Sequence, residues 1–167
     1  MPYDPAVHHS QSIRLKGYDY LQPSAYFVTI LTHARDCLLS TIMDGKVHLS
    51  RFGQLAAREW LGLPHHYPSI ELDEYCIMPV HIHGIIVISS EKLAQPQYAL
   101  PEMVRGCKTF SARRINELRQ TPGIPVWHRN YYEHVIRNAA DLARIQKYIL
   151  DNPLRWELDN HDEPDEL

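Results

Sequence analysis

YCIMPVHIHGIIVI, residues 75–88, carries two short strands back to back. One run ends at Ile77 and the next begins at His81, and Met78-Pro79-Val80 between them leaves room only for a tight connection. Two such strands pair antiparallel. Extended by composition, they cover residues 71–77 and 81–88, and the apolar run from Ile85 to Ile88 reads as buried strand. Side chains alternate along a strand, so His81 and His83 leave one face while Ile82 and Gly84 face the other. Two neutral imidazoles side by side make half of a divalent-metal site. Two satisfied core histidines explain the same pair, provided each finds a hydrogen-bond partner.

Working outward, residues 25–32 (AYFVTILT) are rich in aromatic and β-branched side chains and predict a strand. Asp44-Gly45 is a turn signal that gives a short hairpin into residues 46–49. Residues 52–63 place Leu55, Ala56, Trp60 and Leu63 at helical spacing, with Pro64 as the stop. Beyond the central pair, a helix is expected over 102–119 and a strand over 127–136. Asn138 with Asp141 three positions on opens a last helix. Pro153 disfavours helical geometry at Asn152, so that helix is expected to end there. The order β-(β)-α-β-β-α-β-α predicts an α+β fold, with helices packed on one side of an antiparallel sheet, close to the ferredoxin-like plan.

With 167 residues there is room for one core, taken as residues 13–156 between an N-terminal arm, 1–12, and an acidic tail, 157–167, expected to be disordered. The formal charge of -3 is misleading, because that tail holds six acids and no Lys or Arg, leaving 17 basic against 14 acidic residues on the body. No stretch approaches the roughly 18 apolar residues that a spanning helix needs, and no signal peptide is visible at the start, so a cytoplasmic protein is expected. Cys37, Cys76 and Cys107 are scattered, with no C-x-x-C pair, which fits a reducing compartment and argues against structural zinc.

Two further groups of residues can do chemistry. Tyr148 and Asn152, four apart, share one face of the last helix at the edge of its Leu142, Ile145, Ile149 stripe. Taken alone, the pair is better accounted for as a boundary tyrosine with a C-capping asparagine. Arg105, Lys108, Arg113, Arg114 and Arg119 lie on the 102–119 helix, and Arg105, Lys108 and Arg119 line one flank that could track a phosphate backbone. A solvated helix face explains those too. Trp127, Tyr131 and Tyr132 could stack on unpaired bases or pack into the core.

YCIMPVHIHGIIVI, VWHRNYYEHVIRN and YILDNP, with the opening IRLKGYDYLQPSAYFVTILTH, together resemble the REP-associated tyrosine transposases, a branch of the single-tyrosine HUH transposase superfamily of insertion sequences. The resemblance runs from about residue 13 to 156 and implies a ferredoxin-like or RRM-like fold. It implies that His81 and His83 are metal ligands, that Asn152 is a third ligand and that Tyr148 is the nucleophile. Tyr131 and Tyr132 fall on the preceding strand of the family pattern, in a structural or DNA-contacting role. The family carries Asn before the first histidine, where this chain has Val80.

The implied activity is Mg²⁺- or Mn²⁺-dependent cleavage and strand transfer on single-stranded DNA folded into hairpins such as repetitive extragenic palindromes. It proceeds through a 5′-phosphotyrosine, as a nucleoid-associated monomer or homodimer. The basic helix residues, with Arg14 and Lys16 near the start, are then the expected DNA contacts. Covalent capture conserves the bond energy, in keeping with the absence of a Gly-rich phosphate loop. A domesticated relative that binds hairpins without cutting is the alternative from another class. A histidine-triad hydrolase needs a third histidine in phase, and position 85 is Ile.

Overall fold

A computed structural model describes residues 24–92, 94 and 96–161. The 1–12 arm, Arg14, Lys16 and the last six residues lie outside the described residues. Strands β1 (Ser24–Leu31), β4 (Ile70–Ile77), β5 (His81–Ile88) and β6 (Tyr132–Ile136) form one sheet in the order β4-β5-β1-β6, antiparallel throughout. A separate hairpin joins β2 (Ser40–Met43) to β3 (Lys46–Leu49). Its turn is Asp44-Gly45, both at positive φ, as the two-residue turns favoured by strand twist require. The described residues also form helices α1 (Arg51–Leu61), α2 (Leu63–His66), α3 (Leu100–Leu118) and α4 (Ala139–His161), with short 3-10 turns at His33–Arg35 and Ser90–Lys92. Without the small hairpin and α2, the order is βαββαβ followed by a helix, the ferredoxin-like plan.

The helices cover both faces of the sheet, not one. Tyr26, Val28 and Ile30 of β1 and Ile82, Ile86 and Ile88 of β5 bury against α1 and α3, through Trp60, Met103, Val104, Cys107 and Ile115. On the opposite face Phe27, Ile85 and Val87 meet Leu142, Ile145 and Ile149 of α4. The reason is legible in HIHGIIVI, which is apolar at even and odd positions alike after His83. A strand apolar on both faces needs cover on both. Each fully buried Ile or Phe contributes about 1.5–3 kcal/mol, so leaving the α4 face open would cost several such terms.

Proline governs two departures from expectation. The helix expected to stop at Pro64 already ends at Leu61, and Pro64 sits in the first turn of α2. There its missing N–H has no helical partner to lose. Pro153 does not end α4, which runs on to His161. Interior proline costs about 3 kcal/mol, offset here because the extension is docked. The Glu157 carboxylate accepts the Asp44 and Gly45 N–H groups at 2.9 and 2.6 Å, and Leu154 packs against Gly45. Residues 157–161, expected to be a disordered tail, are therefore helical.

The strand expected over 127–136 is shorter. Only β6 is continuous, while Trp127 makes an isolated bridge to Thr32 and donates its indole N–H to Ser111 Oγ at 2.9 Å. Asn138 Oδ1 accepts the Asp141 N–H at 2.8 Å, the expected cap of α4. Gly84 lies under the buried Trp60 ring, which a methyl at that position would overlap. Gly84→Ala is expected to cost about 2–3 kcal/mol through overpacking. A urea denaturation midpoint equal to that of the parent protein would show that the slot can relax.

Candidate active site

β5 presents His81 and His83 to the face that α4 covers. In the sheet register His83 stands between Thr29 on β1 and Cys76 on β4, and His81 stands beside Leu31. The two imidazole centroids are 4.1 Å apart. Thr29 Oγ1 lies 2.9 Å from His83 Nδ1. In the tautomer that places the proton on Nδ1, this bond leaves the Nε2 lone pair open and fixes the ring, as outer partners of metal-binding histidines do. His81 Nε2 is buried and has no hydrogen-bond partner among the described residues. A buried orphan of this kind is rare enough to require an explanation.

Helix α4 brings the other two residues. The Tyr148 ring centroid is 5.5 Å from that of His83. Phe27 wedges against both, 5.2 Å from His83 and 6.1 Å edge-on from Tyr148. Asn152, one helical turn on, is 9% exposed. The Trp156 ring closes the His81 end at 6.3 Å. One chain thus supplies His81, His83, Tyr148 and Asn152 to a single place.

Burial pushes the His81 pKa down to about 4, with a hydrogen bond between the ring and the Asn152 side chain acting the other way and the Arg35 charge reinforcing the fall. Burial, then the proximity of His81, takes His83 down to about 3. Both rings are therefore uncharged near neutrality, the form in which imidazole ligates a cation. Among the described residues no three His, Cys, Asp or Glu side chains converge as a metal cluster. The pair needs a third donor of another kind, and the Asn152 amide oxygen is such a donor. The donor set and the orphaned Nε2 fit a divalent cation that accepts mixed N and O ligands.

Val80, which stands where the resembling family has Asn, does not leave the turn before His81 unsupported. Its side chain is buried, and its carbonyl oxygen accepts from the Thr32 N–H at 2.8 Å and the Thr32 hydroxyl at 3.1 Å.

The basic residues of α3 are not brought to this site, because α3 packs on the other face of the sheet. Several hold the fold together. Lys108 Nζ donates to the His128 and Arg129 carbonyls at 2.7 and 3.1 Å. Arg114 pairs with Glu59 at 2.6 Å, and Arg119 Nε donates to Asn116 at 2.8 Å. Arg105, with Arg129, Tyr131 and Lys108, lines a groove of about 690 Å³, and Arg113 is exposed. Tyr131 donates its hydroxyl to Glu133 at 3.0 Å. Tyr132 pairs with Thr29 and so shares the face of the histidines, half-exposed.

Sequence reasoning missed Thr29, Phe27 and Trp156. Thr29 had a signal. In AYFVTILT the fully buried set is Tyr26, Val28 and Ile30, so Thr29 is a polar residue on the opposite face of a central strand.

An antiparallel sheet whose central strand lifts a His-x-His pair towards a tyrosine on the last helix defines a class, the one the sequence resembles. The family model "Transposase IS200 like" matches residues 65–152. A Haemophilus influenzae protein of uncharacterised function is 33% identical, over 94% of this chain and 95% of its own length. A candidate REP-associated tyrosine transposase from the same organism is 25% identical over 82% of this chain and 74% of its own. The solved structure of a REP-associated tyrosine transposase bound to a REP hairpin superposes with a TM-score of 0.63 at 19% identity, over 86% of this chain and 74% of that one. The chain belongs to the IS200-like transposase family. No helix among the described residues is long and apolar enough to cross a membrane.

Thr29→Val keeps the shape at β1 and removes the bond to His83. The expected loss is about 1–3 kcal/mol, the cost of stranding a buried polar atom, with a changed tautomer balance in the His83 ring ¹⁵N shifts. Unaltered ring shifts would mean that Thr29 does not orient the imidazole.

Proposed function

We propose that this protein is a metal-dependent single-stranded DNA endonuclease and strand transferase that acts on hairpin DNA through a 5′-phosphotyrosine. The observation that carries the reading is the convergence, within one chain, of the Tyr148 ring on the His83 ring with Asn152 beside His81. The superposition on a transposase bound to a REP hairpin supports hairpin DNA as the substrate class.

His81, His83 and Asn152 would hold a Mg²⁺ or Mn²⁺, whose Lewis acidity offsets charge gathering on a phosphate under attack. The protein side chains do the rest. Tyr148 forms the new bond from its phenol oxygen to phosphorus, and the bond from phosphorus to the 3′ oxygen breaks. The phenol proton is lost to solvent and the departing oxygen takes one up, leaving a free 3′-OH. The phosphotyrosine conserves the energy of the broken bond, so rejoining to another strand requires no nucleotide triphosphate. Phe27 packs edge-on against the Tyr148 ring and buried Ile149 anchors that turn of α4 to the sheet, which limits the motion of the tyrosine and favours an in-line approach. Because all four residues come from one chain, a monomer is sufficient for this chemistry. On the far face, Arg105, Arg113 and Arg129 are the cations that would hold backbone phosphates of a long substrate.

The test is a denaturing gel of labelled hairpins taken from the DNA beside the gene, incubated with Mn²⁺. The parent protein is expected to yield a covalent protein–DNA adduct. Tyr148→Phe is expected to lower cleavage by roughly 10³-fold or more while hairpin binding persists, and cleavage at the parent rate would reject Tyr148 as nucleophile. The double variant His81→Ala, His83→Ala is expected to lose metal-dependent cleavage, and an undiminished rate would reject the metal site. Tight hairpin binding with no adduct from the parent protein would favour a non-cutting hairpin binder instead.

A further inference from the structure

Arg155 is brought to the site by the stretch of α4 beyond Pro153. Tyr148, Asn152 and Arg155 are spaced i, i+4 and i+7, so they lie on one helical face, the face turned towards the histidines. The Arg155 guanidinium carbon stands 5.6 Å from the centre of the Tyr148 ring. The side chain is exposed, and it forms no ion pair or hydrogen bond among the described residues.

Neighbouring charges are otherwise engaged. Arg144 is held by Asp141 at 2.6 Å. Lys147 is held by Asp151 at 2.7 Å. Asp151, one turn earlier, also acts on Arg155 electrostatically, but no ion pair or hydrogen bond joins the two among the described residues, so Arg155 keeps its planar fork of N–H donors open beside a phenol. That geometry fits the paired oxygens of a phosphodiester. Packing over the ring alone calls for a cation and not for free donors.

We propose that Arg155 grips the phosphate attacked by Tyr148, holding two of its oxygens while the phenol faces phosphorus. The inference rests on the reading of Tyr148 as nucleophile. It adds a substrate contact that neither the histidine pair nor Asn152 provides.

The experiment measures phosphodiester binding, independent of turnover. The dinucleotide thymidylyl-(3′→5′)-thymidine is titrated into the full chain with Mg²⁺ and followed by NMR shift perturbation. Its uncharged methylphosphonate analogue is titrated in parallel. Arg155→Gln is expected to weaken binding of the charged dinucleotide by about tenfold and to leave the neutral analogue unchanged. Arg155→Lys is expected to recover only part of the loss, because it restores the charge without the fork. Unfolding temperatures matching the parent protein, as an exposed side chain allows, certify that the variants are folded.

Equal affinity of the parent and Arg155→Gln proteins for the charged dinucleotide would overturn the proposal, as would a parent protein that does not bind it. Arg155-dependent binding without any covalent adduct on hairpin DNA would leave the phosphate contact standing and remove the cleavage reading.

Discussion

β5 is hydrogen-bonded along both edges, to β4 and to β1, and is covered on both faces, by α1 and α3 on one side and by α4 on the other. A strand in that position has no freedom to slip. A one-residue shift would turn Ile82 and Ile86 out of one core and drive His81 and His83 into it. The apolar residues downstream thus decide where the imidazoles point. The same packing pulls α4 onto the sheet, because Ile85 and Val87 need Leu142, Ile145 and Ile149. Tyr148 and Asn152 ride on that contact.

The site itself works against stability. Two imidazoles are desolvated there, one keeps a nitrogen without a partner among the described residues, and a half-exposed tyrosine borders them. Burying an unpaired polar atom costs about 1–3 kcal/mol in proteins. The sheet tolerates this because Leu142, Ile145 and Ile149 of α4 pack apolar surface on the same face, because Gln146 of α4 donates to the Asp73 carboxylate of β4 at 3.0 Å, and because Thr29 satisfies the other ring. Functional sites commonly retain such locally unfavourable arrangements.

The extension of α4 shows how a local rule is overridden. Pro153 leaves the Ile149 carbonyl without its usual partner. The later turns persist because Glu157 caps the Asp44-Gly45 turn and Leu154 lies on Gly45, contacts between residues more than a hundred positions apart. A window of sequence around Pro153 holds no trace of them. The same holds for α3, whose Lys108 and Arg114 look like parts of a basic face until their distant partners, the 128–129 loop carbonyls and Glu59, are seen.

Sequence alone determined whatever depends on chain periodicity. The two-residue repeat of a strand puts His81 and His83 side by side, the four-residue spacing of a helix puts Tyr148 beside Asn152, and Asp44-Gly45 specifies a tight hairpin turn. The residue motifs also pointed to the right family. Tertiary structure alone decided which face of the sheet receives which helix, that Thr29 and Phe27 brace the histidine and the tyrosine, and that α4 outlasts its proline. Those outcomes come from contacts between distant segments, whose energies are set by what covers what and not by any local pattern.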